Sequence, residues 1–265
     1  MLAVHGGAGG VPAPERAAAR QRGIDAALDA GMAVLHDGGS ALDAVCAAVV
    51  VLEDDPHFNA GRGGVATSAG THELDAAVMR GEDRAAGAVA AITGAKNPVL
   101  AARAVLEDGR HVLFAGEVPF DGVEPAPPGW FEVGESDPST SGTVGAVALD
   151  AAGHLAAATS TGGRRGQPPG RVGDSPLVGA GTWADDATCA VSGTGAGEVF
   201  IRAAFAHTVH VHVAAGASLD DACAAALADV RGLGGSGGCV AVDRLGRVAA
   251  PHTTPAMASG VRRHG

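Results

Sequence analysis

The chain has 265 residues, a formal net charge of −11 and a hydrophobic content of 46%, yet only 3% of its residues are aromatic and none is tyrosine. That length suits one large domain with a core built from Ala, Val and Leu. The acidic balance, with Lys96 as the single lysine, argues against binding to a nucleic-acid backbone or to an anionic membrane.

The cysteines and the first residues indicate a reducing compartment. No CxxC spacing occurs, and no basic-then-apolar leader precedes the apolar residues 1–4. We therefore expect free thiols and a cytoplasmic protein. The apolar run at residues 45–52 is too short to span a bilayer.

Hydrophobic patterning predicts alternating strands and helices in the first half of the chain. A glycine-rich turn is expected over residues 5–10, and Ser40 has the spacing of a helix N-cap. The predicted elements are a strand at 2–4, a helix at 15–35, a helix from 40 to 50, a strand at 71–79, a helix from 97 to 106 and a strand at 112–115.

A polar segment at residues 121–142, rich in Pro and Gly and without Lys or Arg, is predicted to be a flexible linker. Hairpins follow it, which favours two mostly antiparallel sheets sandwiched between helix layers. The predicted elements after the linker are a hairpin of 143–149 with 155–159, a strand at 188–192, a glycine turn, a helix at 199–205, a helix capped by Ser218, and a hairpin of 239–242 with 247–250.

Thr143 opens the first of these hairpins directly after Gly142. Glycine has no Cβ, so a nucleophile can reach its carbonyl carbon. If the bond before Thr143 were cut, this residue would carry both a hydroxyl and an α-amine. With a pKa of roughly 7.7–8.0, that amine can take the proton from the hydroxyl. The alternative is that Thr143 is an ordinary strand residue.

Two glycine-rich loops carry further candidate chemistry. Arg171 and Asp174 lie three residues apart, so they could hold the carboxylate and ammonium of an amino acid, or form a salt bridge with each other. Residues 193–198 resemble a nucleotide-binding fingerprint that lacks its third glycine. The same segment could instead stabilise an oxyanion, through its backbone N–H groups and a neighbouring hydroxyl. The histidines at 207, 210 and 212 lack nearby ligands to complete a zinc site.

Seven segments, in order, resemble the plant-type asparaginase and isoaspartyl peptidase family of N-terminal-nucleophile hydrolases. They cover most of the chain and occur at residues 5–9, 58–61, 71–75, 143–147, 160–163, 170–176 and 193–198. The resemblance implies an αββα four-layer sandwich, a single domain 1–265, and self-cleavage between Gly142 and Thr143 into an α subunit (1–142) and a β subunit (143–265). It also implies a homodimer of cleaved αβ units.

The resemblance also implies roles for individual residues. Thr143 is the nucleophile that forms an acyl-enzyme with β-aspartyl dipeptides or asparagine. The other implied site residues are Thr161, which orients the nucleophile, Asn59 beside it, Thr194 and Gly195 as the oxyanion hole, and Arg171, Asp174 and Gly197 as substrate ligands.

No catalytic cofactor is implied, but a structural Na⁺ is expected in the loop at residues 52–62. Its main-chain ligands by resemblance are Leu52, Glu53, Asp55, Phe58, Ala60 and Arg62. Arg62 stands where relatives have an apolar residue, and the linker is shorter than theirs. Two other functions stay open at this point: a glycosylasparaginase, whose members usually have Asp before the threonine, and a non-catalytic amino-acid-binding protein.

Overall fold

A computed structural model describes residues 1–117, 123–131 and 142–263 of the chain. Two helices begin where the sequence supplies a cap: Ser40 Oγ accepts a 3.1 Å hydrogen bond from Asp43 N, and Ser218 Oγ accepts one of 3.2 Å from Asp221 N. Both predicted caps are therefore confirmed. The helices are α1 Pro14–His36, α2 Ala41–Asp54, α3 Pro98–Asp108, α4 Gly197–Arg202, α5 Phe205–Ala214 and α6 Leu219–Gly232.

The strands form two sheets, which confirms the α+β, two-sheet expectation. The large sheet has the order β11-β1-β5-β6-β2-β3-β4 and the small one β10-β9-β8-β7, and within the described residues only the β3–β4 pair is parallel. The strands are β1 Leu2–Gly9, β2 Leu74–Arg80, β3 Ala86–Ile92, β4 Leu113–Ala115, β5 Val144–Leu149, β6 Leu155–Thr161, β7 Thr182–Ala184, β8 Cys189–Gly195, β9 Gly237–Asp243, β10 Val248–Ala249 and β11 Ala256–Arg262.

Successive strand residues point to opposite sides of the large sheet. Apolar residues at successive positions therefore make both of its faces apolar. Leu2 and Val4 of β1 pack with α1 and α2, whereas Ala3 packs with residues of the small sheet such as Ala190 and Val240. A separate cluster joins the small sheet to α5 and α6. Alanine and valine fill these interfaces, as the composition predicts.

The turn predicted over residues 5–10 is wrong, because β1 continues to Gly9. The glycines there permit close packing instead of a chain reversal. Gly7 has φ +102°, and a Cβ on it would lie 2.5 Å from Cα of Gly142. Only glycine fits both that conformation and that contact.

The second predicted glycine turn is also wrong in position, because β8 continues through Gly195. The helix predicted over 199–205 corresponds to α4, which ends at Arg202, and α5, which begins at Phe205, was not predicted. They are separated at Ala204, whose φ of 43° lies in the left-handed region and interrupts the helical path. The strand β8 therefore ends later in the chain than the sequence predicts.

Strands β3, β7 and β11 were not predicted. The sequence of β3 is alanine-rich, which favours helix by composition, and β7 has only three residues. Residues 121–122 and 132–141 of the predicted linker lie outside the described residues. Among those described, no helix has the length and apolar character needed to cross a bilayer.

Candidate active site

The three candidate threonines lie at the same edge of the two facing sheets. Thr143 precedes β5, and the register Val144↔Ser160 places it beside Thr161 at the end of β6. Thr194 lies near the end of β8 in the small sheet, and its Oγ1 accepts a 3.2 Å hydrogen bond from Ala8 N of the large sheet. Strand periodicity thus brings three hydroxyls from separate segments to one place.

These residues line a cavity of about 220 Å³. The cavity is narrow and polar, which suits a small ligand rather than a protein surface. Its lining comprises Ala8, Gly9, Gly142, Thr143, Thr161, Gly163, Arg164, Arg171, Gly173, Asp174, Thr194, Gly195, Ala196, Gly197, Ser236 and Thr254.

Thr143 is 8% exposed, and its Oγ1 lies 3.4 Å from Oγ of Ser175, which is fully buried. Sequence reasoning missed Ser175, although it directly follows Asp174 in one of the quoted segments. Thr182 Oγ1 donates to the Ser175 backbone oxygen at 3.1 Å. The residue whose hydroxyl touches Thr143 is therefore held by a second buried hydroxyl.

Thr182 belongs to a row of buried polar groups between the sheets. Its Oγ1 lies 2.7 Å from Thr159 Oγ1, which lies 2.8 Å from Ser192 Oγ, and Ser192 Oγ lies 2.9 Å from His5 Nε2. Burial lowers the pKa of His5 to about 3, so its ring is neutral at ordinary pH. The interface between the sheets thus changes from apolar to polar as it approaches the cavity.

Arg171 and Asp174 do not form the mutual salt bridge that was one interpretation of their spacing. Arg171 instead donates from Nε and Nη2 to Oε1 of Glu198, at 3.0 and 2.9 Å. Gly197 lies between the two charges, because a Cβ there would be 2.9 Å from both Arg171 Nη2 and Asp174 Oδ1. A cation and an anion therefore flank one glycine at the cavity wall.

Asp174 is buried, and Oδ2 has no hydrogen-bond partner within the described parts of the chain. Burial raises the pKa of its carboxyl to about 7, and the Arg171 charge partly opposes that rise. Behind it, Asp75 accepts hydrogen bonds from Gly173 N at 3.3 Å and Ala91 N at 2.7 Å. Asp75 thereby ties the loop that carries Asp174 to β2 and β3.

The Thr194 hydroxyl accepts a hydrogen bond from Ala8 N and keeps its own proton for donation into the cavity. Thr161 Oγ1 accepts from Gly163 N at 3.1 Å. Asn59 does not line the cavity. Its Nδ2 donates to Gly163 O at 2.7 Å and its Oδ1 accepts from Val65 N at 3.1 Å, so it holds the loop that follows Thr161.

Comparison with known proteins identifies the family of the chain. A family model described as asparaginase matches residues 1–119 and 130–265. The chain belongs to the asparaginase family. It is 43% identical to the isoaspartyl peptidase of Escherichia coli K12 over 291 aligned residues, covering 97% of this chain and 91% of that protein. It is 39% and 38% identical to the isoaspartyl peptidase/L-asparaginases of Bos taurus and Homo sapiens, covering in both cases 97% of this chain and 91% of the relative.

The family resemblance drawn from the seven segments is thus confirmed. Other candidate sites of this asparaginase-family chain have different explanations. His210 Nδ1 hydrogen-bonds Thr188 Oγ1 at 2.7 Å, and the rings of His207 and Trp183 pack edge to face. The structure shows no cluster of potential metal ligands within its described residues. The four cysteines are buried and free.

The loop expected to hold sodium begins at the C-terminus of α2, where helix carbonyls lack intrahelical partners. A Cβ on Gly61 would lie 2.6 Å from the Glu53 carbonyl oxygen, and one on Gly63 would collide with the Phe58 carbonyl oxygen. Both glycines thus lie directly against main-chain carbonyl oxygens of this segment. The Arg62 guanidinium lies over the Trp130 ring, with Cζ 5.2 Å from its centroid.

Proposed function

We propose that this chain hydrolyses β-aspartyl dipeptides and the side-chain amide of asparagine, through an acyl-enzyme on Thr143 after self-cleavage between Gly142 and Thr143. One observation carries the proposal: Thr143, Thr194, Arg171 and Asp174 line one cavity of about 220 Å³. Nucleophile, oxyanion donor and a pair of opposite charges are the groups that this reaction requires.

The charge pair determines how a substrate lies in the cavity. The α-carboxylate accepts hydrogen bonds from Arg171, which Glu198 holds at 2.9 Å, and the α-ammonium donates to Asp174. The aspartyl side chain then extends toward Thr143. Because Asp174 is buried and one of its oxygens has no described partner, a cation in the cavity satisfies it.

The reaction proceeds in two stages. The α-amine of Thr143 takes the proton from Oγ1 as the oxygen adds to the substrate carbonyl carbon. Thr194 Oγ1 and Gly195 N donate to the developing oxyanion, which collapses to an ester as the α-ammonium of Thr143 gives its proton to the departing nitrogen and ammonia or an amino acid leaves. Water then hydrolyses the ester and releases aspartate. Thr161 and Ser175 hold the Thr143 hydroxyl in position.

The test begins with the intact mass of the purified protein under denaturing conditions. Two fragments divided at Gly142/Thr143 are expected from the unmodified sequence, and one full-length chain from Thr143→Ala. Release of aspartate from a β-aspartyl dipeptide and from asparagine is then measured, with a glycoasparagine as a third substrate. An uncleaved chain that binds asparagine without turnover would overturn the proposal in favour of a binding protein.

The loop at residues 52–62 also suits a structural Na⁺. Its support is the convergence of carbonyl oxygens around Gly61 and Gly63 and the partial negative charge at the end of α2. The main-chain oxygens of Leu52, Glu53, Asp55, Phe58, Ala60 and Arg62 would hold the ion. Replacing Na⁺ by tetramethylammonium in the buffer should lower the melting temperature if the ion stabilises this loop.

The assembly and compartment follow from the same proposal. The helix layers packed on the outer faces of the two sheets support a four-layer αββα sandwich. The four buried free thiols fit the cytoplasm. A homodimer of cleaved αβ units predicts twice the mass of the 25.7 kDa chain in analytical ultracentrifugation.

A further inference from the structure

Arg20 of α1 is a buried cation beside the proposed cleavage point. It is 6% exposed, and its Nη2 donates to the Gly6 carbonyl oxygen while Nε has no partner among the described residues. Within the described ranges no carboxylate lies within 4.0 Å of it. A guanidinium so deeply buried ordinarily has an anionic partner.

The bond that precedes Thr143 lies next to this guanidinium. The position that a Cβ would take on Gly7 is 3.1 Å from the Gly142 carbonyl carbon and 3.3 Å from Arg20 Nη2. A Cβ on Gly142 itself would be 3.6 Å from the same nitrogen. Gly7 and Gly142 have no side chains, so nothing bulky separates the guanidinium from the Gly142 carbonyl group.

The other groups around Arg20 do not neutralise it. The positive charge of Arg16 on the same helix lowers the pKa of Arg20, and the negative charge of Asp55 raises it by less. The ring of Phe58 lies beneath the guanidinium, with Cζ 5.6 Å from the ring centroid. Burial lowers the pKa of Arg20 to about 10, so it stays charged at neutral pH.

We propose that Arg20 is the built-in counter-ion for the carboxylate that self-cleavage creates on Gly142. This inference rests on the proposed function. In the first step Thr143 Oγ1 adds to the Gly142 carbonyl carbon and the bond to the Thr143 nitrogen breaks, so an ester replaces the amide. Water then adds to the ester, and the products are the Gly142 carboxylate, the Thr143 hydroxyl and amine, and one proton.

The new carboxylate forms an ion pair with Arg20 in a site from which water is largely excluded. A charge-assisted hydrogen bond there is stronger than the bond to the neutral Gly6 carbonyl. The pair has two consequences. It holds the end of the α fragment against β1 after the cut, and it disfavours religation because the product anion is stabilised where it forms. Arg20 is a positioning residue and does not contact the substrate.

The test compares processed wild-type protein with Arg20→Met, which keeps much of the length of the side chain and removes its charge. Exposed Arg22→Met, two residues along the same helix, is the matched control. Each protein is treated with carboxypeptidase, and the mass of the α fragment reports removal of Gly142, while trimming of the β fragment gives an internal reference. We expect trimming of the α fragment to be at least roughly tenfold faster in Arg20→Met, since a charge-assisted hydrogen bond commonly gives that factor.

A second measurement covers the case in which Arg20→Met folds poorly. The melting temperature of Arg20→Lys is measured in processed protein and in the uncleavable Thr143→Ala background. The substitution should lower the melting temperature more in the processed form, because only that form contains the carboxylate. Equal effects in the two forms, or equal trimming of wild type and Arg20→Met, would overturn this inference alone. A wild-type chain that never cleaves would overturn the proposed function and this inference with it.

Discussion

Substitution of Asp174 by Asn should raise stability and weaken substrate binding together. Burial raises the pKa of Asp174 from 3.8 to about 7. Between these two pH values the Asp174 carboxyl therefore keeps its proton in the folded protein, whereas it has lost the proton in the unfolded chain. The contribution of Asp174 to the free energy of unfolding is therefore most favourable below about pH 4, decreases as pH rises from about 4 to about 7, and is constant above that range. At about 1.4 kcal/mol per unit of pKa, ionising Asp174 costs the fold about 4 kcal/mol above pH 8.

The Asp174→Asn variant would carry no such penalty, because the amide has nearly the same shape as the carboxyl and no charge. In urea unfolding of the Thr143→Ala background, the gain in stability from this substitution should be near zero at pH 4 and approach about 4 kcal/mol at pH 8.5. Asp229→Asn, at an exposed position on α6, is the matched control for the substitution itself.

The same substitution removes the anion that binds the substrate ammonium. A hydrogen bond to a charged group is worth about 1.5–3 kcal/mol, so KM should rise roughly 10- to 150-fold in cleaved enzyme. In the unsubstituted enzyme, kcat/KM should rise with pH through about 7 as Asp174 ionises. An Asp174→Asn variant with unchanged KM, or one whose gain in stability is no larger at pH 8.5 than at pH 4, would refute the reasoning.

Three further substitutions test the packing of the site. Ser175→Ala should lower kcat roughly tenfold with little change in KM, because the Ser175 hydroxyl lies 3.4 Å from Thr143 Oγ1 and positions that atom. A change confined to KM would contradict this role. Gly197→Ala should raise KM at least roughly tenfold, since its Cβ would lie 2.9 Å from both Arg171 Nη2 and Asp174 Oδ1 and displace the two groups that bind the substrate. Gly145→Ala should destabilise the fold by about 3 kcal/mol in urea, because its Cβ would collide with Ser192 Oγ and lie 2.7 Å from His5 Nε2 in the buried polar row between the sheets.

The sequence predicted the parts of the site that are local in the chain. Ser40 and Ser218 cap helices by contacts three residues away, and the loop with Arg171 and Asp174 carries its charges within four residues. Such features depend on neighbours that the sequence displays directly. The roles of those residues were implied by the resemblance of the family segments and stay predictions.

Other features depend on contacts between distant segments, which no local pattern reveals. Arg171 pairs with Glu198, which lies 27 residues later in the chain. Asp75 accepts a hydrogen bond from Gly173 N, which lies 98 residues later. The continuation of β1 and β8 through glycines also has a tertiary cause, because Gly7 lies against the Gly142 backbone and Gly195 against the backbone of Ser236 and Gly237. Local propensity predicts turns at these glycines, but the packing of the two sheets keeps them in strands.

Strand order explains how a chain cut before Thr143 would keep one intact site. In the large sheet β1, from residues 1–142, lies between β11 and β5, which both come from residues 143–265. On the other side of β5, its partner β6 pairs with β2 of the first fragment. Backbone hydrogen bonds therefore join the two fragments on both sides of β1 and again between β6 and β2. The hydrogen bonds of Asp75 with Gly173 and of Ala8 with Thr194 cross the same boundary. Because the fragments are interleaved, cleavage would change the chemistry of Thr143 while the sheet that positions it keeps its hydrogen bonds.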